Sequence, residues 1–129
     1  MDRQPIISAK DVEITFSLRG KKLNAILNQR SQDMLAANIW NVCQYSALVC
    51  MFAQVSGLEP GEFVHVIADA HIYDRHVPIV KELIEREPYD APEFIMDKSI
   101  DDFYKFTKDS FSLKNYRYHE FTTKIPVAV

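Results

Sequence analysis

The residues able to do chemistry gather in two short stretches. The first is 29–41, where Arg30, Ser31, Gln32, Asp33 and Asn41 stand between an alternating segment and the longest apolar run of the chain. A connector there needs only turn chemistry, and this one carries a fixed cation, a hydroxyl, a carboxylate and amides. Arg30 offers a planar fork of donors with the Ser31 hydroxyl next to it, a combination that can hold a phosphate. Asp33 can take or relay a proton. Asn41 presents a donor and an acceptor side by side, which suits the edge of a pyrimidine. A plainer reading stands beside this one: Ser31 or Asp33 caps the helix that follows.

The second stretch is 69–76, Asp-Ala-His-Ile-Tyr-Asp-Arg-His. His71 and Tyr73 are two apart, so on extended backbone they share a face and can bond a sugar hydroxyl. Here the plainer reading is a partly buried, hydrogen-bonded pair. Asp69, His71 and His76 also invite a metal reading, but their spacing matches no zinc signature, and no metal is expected. His65, alone in an apolar segment, reads as a satisfied core histidine. The two cysteines, Cys43 and Cys50, are seven apart in the apolar run. On a helix they lie about 10 Å apart on one face, too far for a disulfide. They read as reduced, buried thiols in a reducing, cytoplasmic setting. Neither has an adjacent base, so no attacking group is evident.

These clusters need elements to position them. Val12, Ile14, Phe16 and Leu18 alternate with polar residues, as do Leu23, Ala25 and Leu27. Around Arg19–Lys22 they predict a β-hairpin. The run 39–56 is apolar on most sides, yet Asn41, Gln44, Ser46 and Gln54 argue against a membrane span. It predicts a helix buried in a globular core, ended by Gly57. Residues 59–62 predict a Pro-Gly turn, and 63–68 a short strand. A helix follows, capped by Asp74 and buried along Val80, Leu83 and Ile84, and Pro88 stops it. Short strands are expected at 93–96 and 110–113, with one helical turn capped by Ser99 between them. The apolar terminus, Ile125 to Val129, is odd unless it docks.

The bulk composition fits one domain spanning 1–129, with 1–10 frayed and without the apolar core of a signal peptide. With 47% hydrophobic and 26% charged residues the chain reads as an ordinary globule. A net charge of −3 without a basic cluster argues against a nucleic-acid polymer as partner, though not against a single nucleotide.

Read in order, Gln29-Arg30-Ser31-Gln32-Asp33, Trp40-Asn41-Val42 and Gln44-Tyr45 closely resemble the substrate-binding stretch of the thymidylate synthase family. Residues 57–65, Asp69-Ala70-His71-Ile72-Tyr73, His76, Arg86-Glu87-Pro88 and Val127-Ala128-Val129 continue the resemblance from Leu23 to the end. It implies an α+β fold with a mixed or antiparallel sheet on a long buried helix. It implies reductive methylation of dUMP to dTMP with 5,10-methylenetetrahydrofolate. By position, Arg30 and Ser31 would hold the phosphate, and Gln32 and Asp33 would lie along the nucleotide. Asp33 would face the pterin, Asn41 would read uracil, and His71 and Tyr73 would bond the 3′-hydroxyl. Ala128 and Val129 would close over the folate. Related cytosine hydroxymethylases carry aspartate in place of Asn41. The family is homodimeric, with the hairpin and strand 63–68 in the dimer sheet.

The departures are as specific. The family's nucleophilic cysteine would fall near Lys10, and residues 4–12 contain none. The larger N-terminal part, with further phosphate-binding arginines, is also absent. Asn115 stands where a glycine is usual, and His119-Glu120 where His-Pro is usual. The resemblance is thus to a C-terminal portion. It implies a chain without turnover alone, whether a truncated piece, one product of a split gene that acts with a separate N-terminal half, or a degenerate relative. The alternative is a non-catalytic dUMP-binding or dimerisation module.

Overall fold

A computed structural model describes residues 12–126. The expectations on residues 1–10, Ala128 and Val129 lie outside the described residues. Strands β1 (Val12–Arg19) and β2 (Lys22–Asp33) form the expected hairpin, with Arg19 opposite Lys22. Gly20 supplies the positive φ of 63° that the two-residue turn requires. Helix α1 (Asn38–Val55) then crosses the sheet. It ends in a Schellman motif: Gly57 adopts φ 65°, and Leu58 N–H donates to the Ala53 carbonyl at 2.8 Å.

Strand β3 (Glu59–His71) is far longer than the predicted 63–68, and it runs parallel to β2 in the order β1-β2-β3. The turn expected at 59–62 is absent, because Pro60 and Gly61 shape a strand irregularity instead. The register shifts between Leu23 and Ala25, and Asn24 Oδ1 accepts the Glu62 N–H at 2.8 Å. A Cβ on Gly61 would sit 2.9 Å from the Leu23 carbonyl oxygen, so only glycine admits this approach.

The core lies between the sheet and α1. Leu23, Ala25 and Leu27 of β2 are buried, as are Val49 and Ala53 of the helix. The rest of α1 is only partly covered, and Trp40 is 77% exposed. The expectation of two buried thiols therefore fails for Cys43, which is exposed, while Cys50 is half-buried. The reason is angular: Cys43 lies about 120° around the helix from Val49, off the sheet-facing side. No helix among the described residues is long and apolar enough to cross a membrane.

After β3 a 3-10 turn (Asp74–His76) leads into α2 (Val77–Ile84), with Pro78 in its first turn as expected. Asp74 makes no side-chain capping bond, and Ile84 is exposed while Ile79 is buried. Val80 and Leu83 are half-buried as expected, so the covered stripe runs through Ile79, Val80 and Leu83 and leaves Ile84 out. Strands β4 (Glu93–Met96) and β5 (Phe111–Lys114) pair antiparallel. The turn between them is capped by Asp102, which accepts the Tyr104 N–H at 3.0 Å. Ser99 instead bonds Asp97. A row of rings ties this unit to the core: Phe16 to Phe52 at 5.3 Å, Phe52 to Phe103 at 4.7 Å, and Phe106 to Phe111 at 5.5 Å. Gln54 Nε2 adds bonds to the Asp97 and Ile100 carbonyls.

Leu27, fully buried at the centre of β2, should be the most costly truncation. Leu27→Ala is expected to lose about 3 kcal/mol in urea unfolding, against little for the exposed Ile26→Ala. Burial pushes the Cys50 thiol up, with the Lys98 charge opposing it weakly. Iodoacetamide at pH 8 should therefore modify Cys43 well before Cys50, read by mass spectrometry. Equal rates would show that α1 does not rest against β4.

Candidate functional site

The parallel pairing brings the two polar stretches together at the carboxyl ends of β2 and β3. Ser31 lies opposite Asp69 and Asp33 opposite His71, and the Met34 N–H donates to the His71 carbonyl at 3.0 Å. Residues separated by a helix in sequence thus become cross-strand neighbours.

A buried amide organises one side. Gln29 occupies the inward parity of β2, after Leu23, Ala25 and Leu27. Its Nε2 donates to the Ser31 carbonyl at 2.9 Å, to Gln32 Oε1, and to Asn41 Oδ1 at 3.3 Å. Its Oε1 accepts from His65 Nε2 at 2.9 Å. His65 is therefore the satisfied histidine expected, but its partner is part of the site. The chain His65 to Gln29 to Asn41 sets which end of the Asn41 amide faces inward, leaving Nδ2 as the outward donor. Sequence reasoning did not single out Gln29. The signal was there: a polar residue on the core parity of a strand.

Asp33 is half-buried, and its plainer reading is correct in kind. Oδ1 accepts the N–H groups of Leu35 and Ala36 at 2.9 and 3.0 Å, closing the turn before α1, although the helix itself starts after Ala37 without a side-chain cap. Oδ2 faces His76 Nδ1 at 4.0 Å. His71, Tyr73 and His76 form a row of edge-to-face rings, 5.3 Å from His71 to Tyr73 and 5.5 Å from Tyr73 to His76. His71 Nδ1 is 3.7 Å from an Asp69 carboxylate oxygen. His76 turns the other way, with Nε2 bonded to the Pro126 carbonyl at 2.8 Å. Asp69, His71 and His76 do not converge, and among the described residues no three His, Cys, Asp or Glu gather around a metal position.

Arg30 and Ser31 are neighbours in sequence but alternate across the strand. Arg30 is exposed and opens onto the sheet face away from α1, lining a hollow of about 220 Å³ with Glu13, Asn28, Val66 and Ala68. Ser31 is half-buried. The cysteines stand apart from both clusters. Cys43 and Cys50 lie about 180–200° around α1 from Asn41. They line a groove of about 620 Å³ with Trp40, Ala47, Phe94 and Leu113.

A thymidylate synthase profile matches residues 7–129. The thymidylate synthase of Bacillus phage phi3T is 42% identical over 106 residues, covering 82% of this chain and 38% of that protein. Thymidylate synthase 1 of Bacillus amyloliquefaciens is 42% identical over 106 residues, 82% of this chain and 46% of its own. The solved structure of the thermostable thymidylate synthase A from Bacillus subtilis superposes with a TM-score of 0.83 at 39% identity. It covers 90% of this chain and 41% of that one. The chain thus spans less than half the length of these relatives. A profile running through nearly all of the sequence, close relatives and a shared architecture agree: the chain belongs to the thymidylate synthase family.

Proposed function

We propose that this chain carries the dUMP-facing part of a thymidylate synthase site. The observation that supports it most is the pairing of Asp33 with His71 at the carboxyl ends of two parallel strands, where α/β sheets take their ligands, with Tyr73 against the His71 ring and Asn41 tied to β2 through Gln29. In this reading Asn41 Nδ2, the outward end of the amide, donates to a uracil carbonyl, while Oδ1 stays on Gln29 Nε2. An aspartate there would lack the donor, which favours uracil over cytosine. His71 and Tyr73 bond the 3′-hydroxyl. Arg30 and Ser31 hold the phosphate, with Gln32 along the nucleotide. Arg30 must reach it from the outer face of the strand.

When bound, 5,10-methylenetetrahydrofolate supplies the one-carbon unit and the hydride. Among the described residues Asp33 fits its pterin: Oδ1 is held by two backbone N–H groups, so the carboxylate is oriented and Oδ2 can accept or relay a proton. Ala128 and Val129 would close this side. Among the described residues no cysteine belongs to the pocket, because Cys43 and Cys50 face the opposite side of α1. These residues by themselves therefore bind without turnover, and further polypeptide carrying the cysteine completes the site in a cytoplasmic enzyme. The apolar groove beside Trp40 is where such a polypeptide would cover α1. Ile26, Val64 and Val66, exposed on the outer sheet face, fit a homodimer contact.

Titration calorimetry with dUMP tests the pocket. The chain should bind, and Arg30→Ala should weaken binding at least tenfold, about 1.4 kcal/mol. No binding at millimolar dUMP by a folded dimer would leave only the dimerisation role. Assayed alone with dUMP and methylenetetrahydrofolate, the chain should form no detectable dTMP. Formation at the rate of a complete family enzyme would refute the missing nucleophile.

A further inference from the structure

We propose that His76 is a positioning residue, a latch that seats the C-terminal segment beside the strand end carrying Asp33. Its ring is 2% exposed, fully enclosed although it belongs to a short surface turn. Nε2 lies 2.8 Å from the carbonyl oxygen of Pro126, fifty residues away in sequence. A carbonyl only accepts, so Nε2 carries the hydrogen. In the neutral ring Nδ1 then bears a lone pair. That nitrogen is buried, has no partner among the described residues, and faces Asp33 Oδ2 at 4.0 Å. Two acceptors facing each other at that distance accommodate a shared donor, a water or a ligand N–H, rather than each other.

The contacts upstream do not do this work. Arg86 Nη1 donates to the Glu120 carbonyl at 3.2 Å, and His119 Nε2 to the Glu87 carbonyl at 2.8 Å. His119 also stacks on Tyr89 at 4.6 Å. These hold the tail at 119–120. From Thr122 to Pro126 the backbone has no regular structure, so its course is set by what it meets. One imidazole therefore holds the tail through Pro126 on Nε2 while its Nδ1 faces the Asp33 carboxylate at the polar end of β2. Tyr73 packs edge-on against the ring at 5.5 Å. The latch stands on this geometry alone. Only its service to a ligand rests on the dUMP reading.

The test uses the whole chain without nucleotide, so it fails independently of dUMP binding. Trypsin cleavage after the exposed Lys124 is compared with cleavage after Lys108, which is 89% exposed in a distant turn. His76→Asn places its amide near the Nδ1 position and lacks the Nε2 donor. It should raise the Lys124-to-Lys108 ratio at least fivefold. His76→Gln puts a donor where Nε2 was and should stay within twofold of the parent. Equal ratios in the parent and His76→Asn, or equal acceleration in both variants, would overturn the proposal. Nitrogen-15 NMR of the unmodified chain gives a second reading that needs no variant. The neutral His76 ring should be the Nε2–H tautomer, and an Nδ1–H tautomer would refute the latch.

Discussion

Parallel pairing of β2 with β3 is the constraint on which the site depends. Two strands that run the same way must be joined by a crossover, and α1 is that crossover. The same geometry sets both carboxyl ends side by side, so the polar exit of β2 meets the polar exit of β3 residue by residue. An antiparallel pairing would have sent Asp33 and His71 to opposite ends of the sheet. Gly61 helps maintain the alignment, because its missing Cβ lets β3 close on Leu23 and Asn24 at the start of the parallel ladder.

Burial then makes the polar groups specific. Gln29 stands where the strand pattern calls for an apolar side chain, and an unpaired amide there would be costly. It is paired to His65, Gln32, Ser31 and Asn41, so each partner is oriented by another. Such a network leaves little freedom for the Asn41 amide to flip, which is the property a base-reading side chain needs. The exposed side of α1 has the opposite character. It is apolar, partly uncovered and carries both thiols, so the helix divides a polar face at its start from an apolar groove along its flank.

The C-terminal third is held by aromatic and cationic contacts rather than by secondary structure. The phenylalanine row anchors β4 and β5 to α1. Farther on, Arg86 covers the Phe121 ring at 5.7 Å and Arg117 covers Tyr89 at 4.7 Å. Asn115 adopts φ 59° where the family resemblance places a glycine, a conformation asparagine tolerates better than most residues.

Much of the architecture was readable from local pattern. Alternation located β1 and most of β2, the apolar run located α1 to within a residue, and Gly57 marked its end, because these follow from periods of 2 and 3.6. The polar stretches were also visible, since polar groups beside apolar runs stand out. What alternation and spacing could not decide was contact. They set Arg30 beside Ser31, and only the strand shows that Arg30 is exposed while Ser31 is half-buried. They made Pro60-Gly61 a turn, and its fit against Asn24 makes it a bulge. They put both cysteines in the core, and the angle of α1 on the sheet leaves Cys43 outside. They left His76 without a partner, and the fold bonds it to Pro126 fifty residues away. The sequence by itself determined the elements, the family and the polar residues available. The tertiary structure decided which of them meet, because partners far apart in the chain are chosen by strand direction, helix rotation and the need to pair buried polar groups.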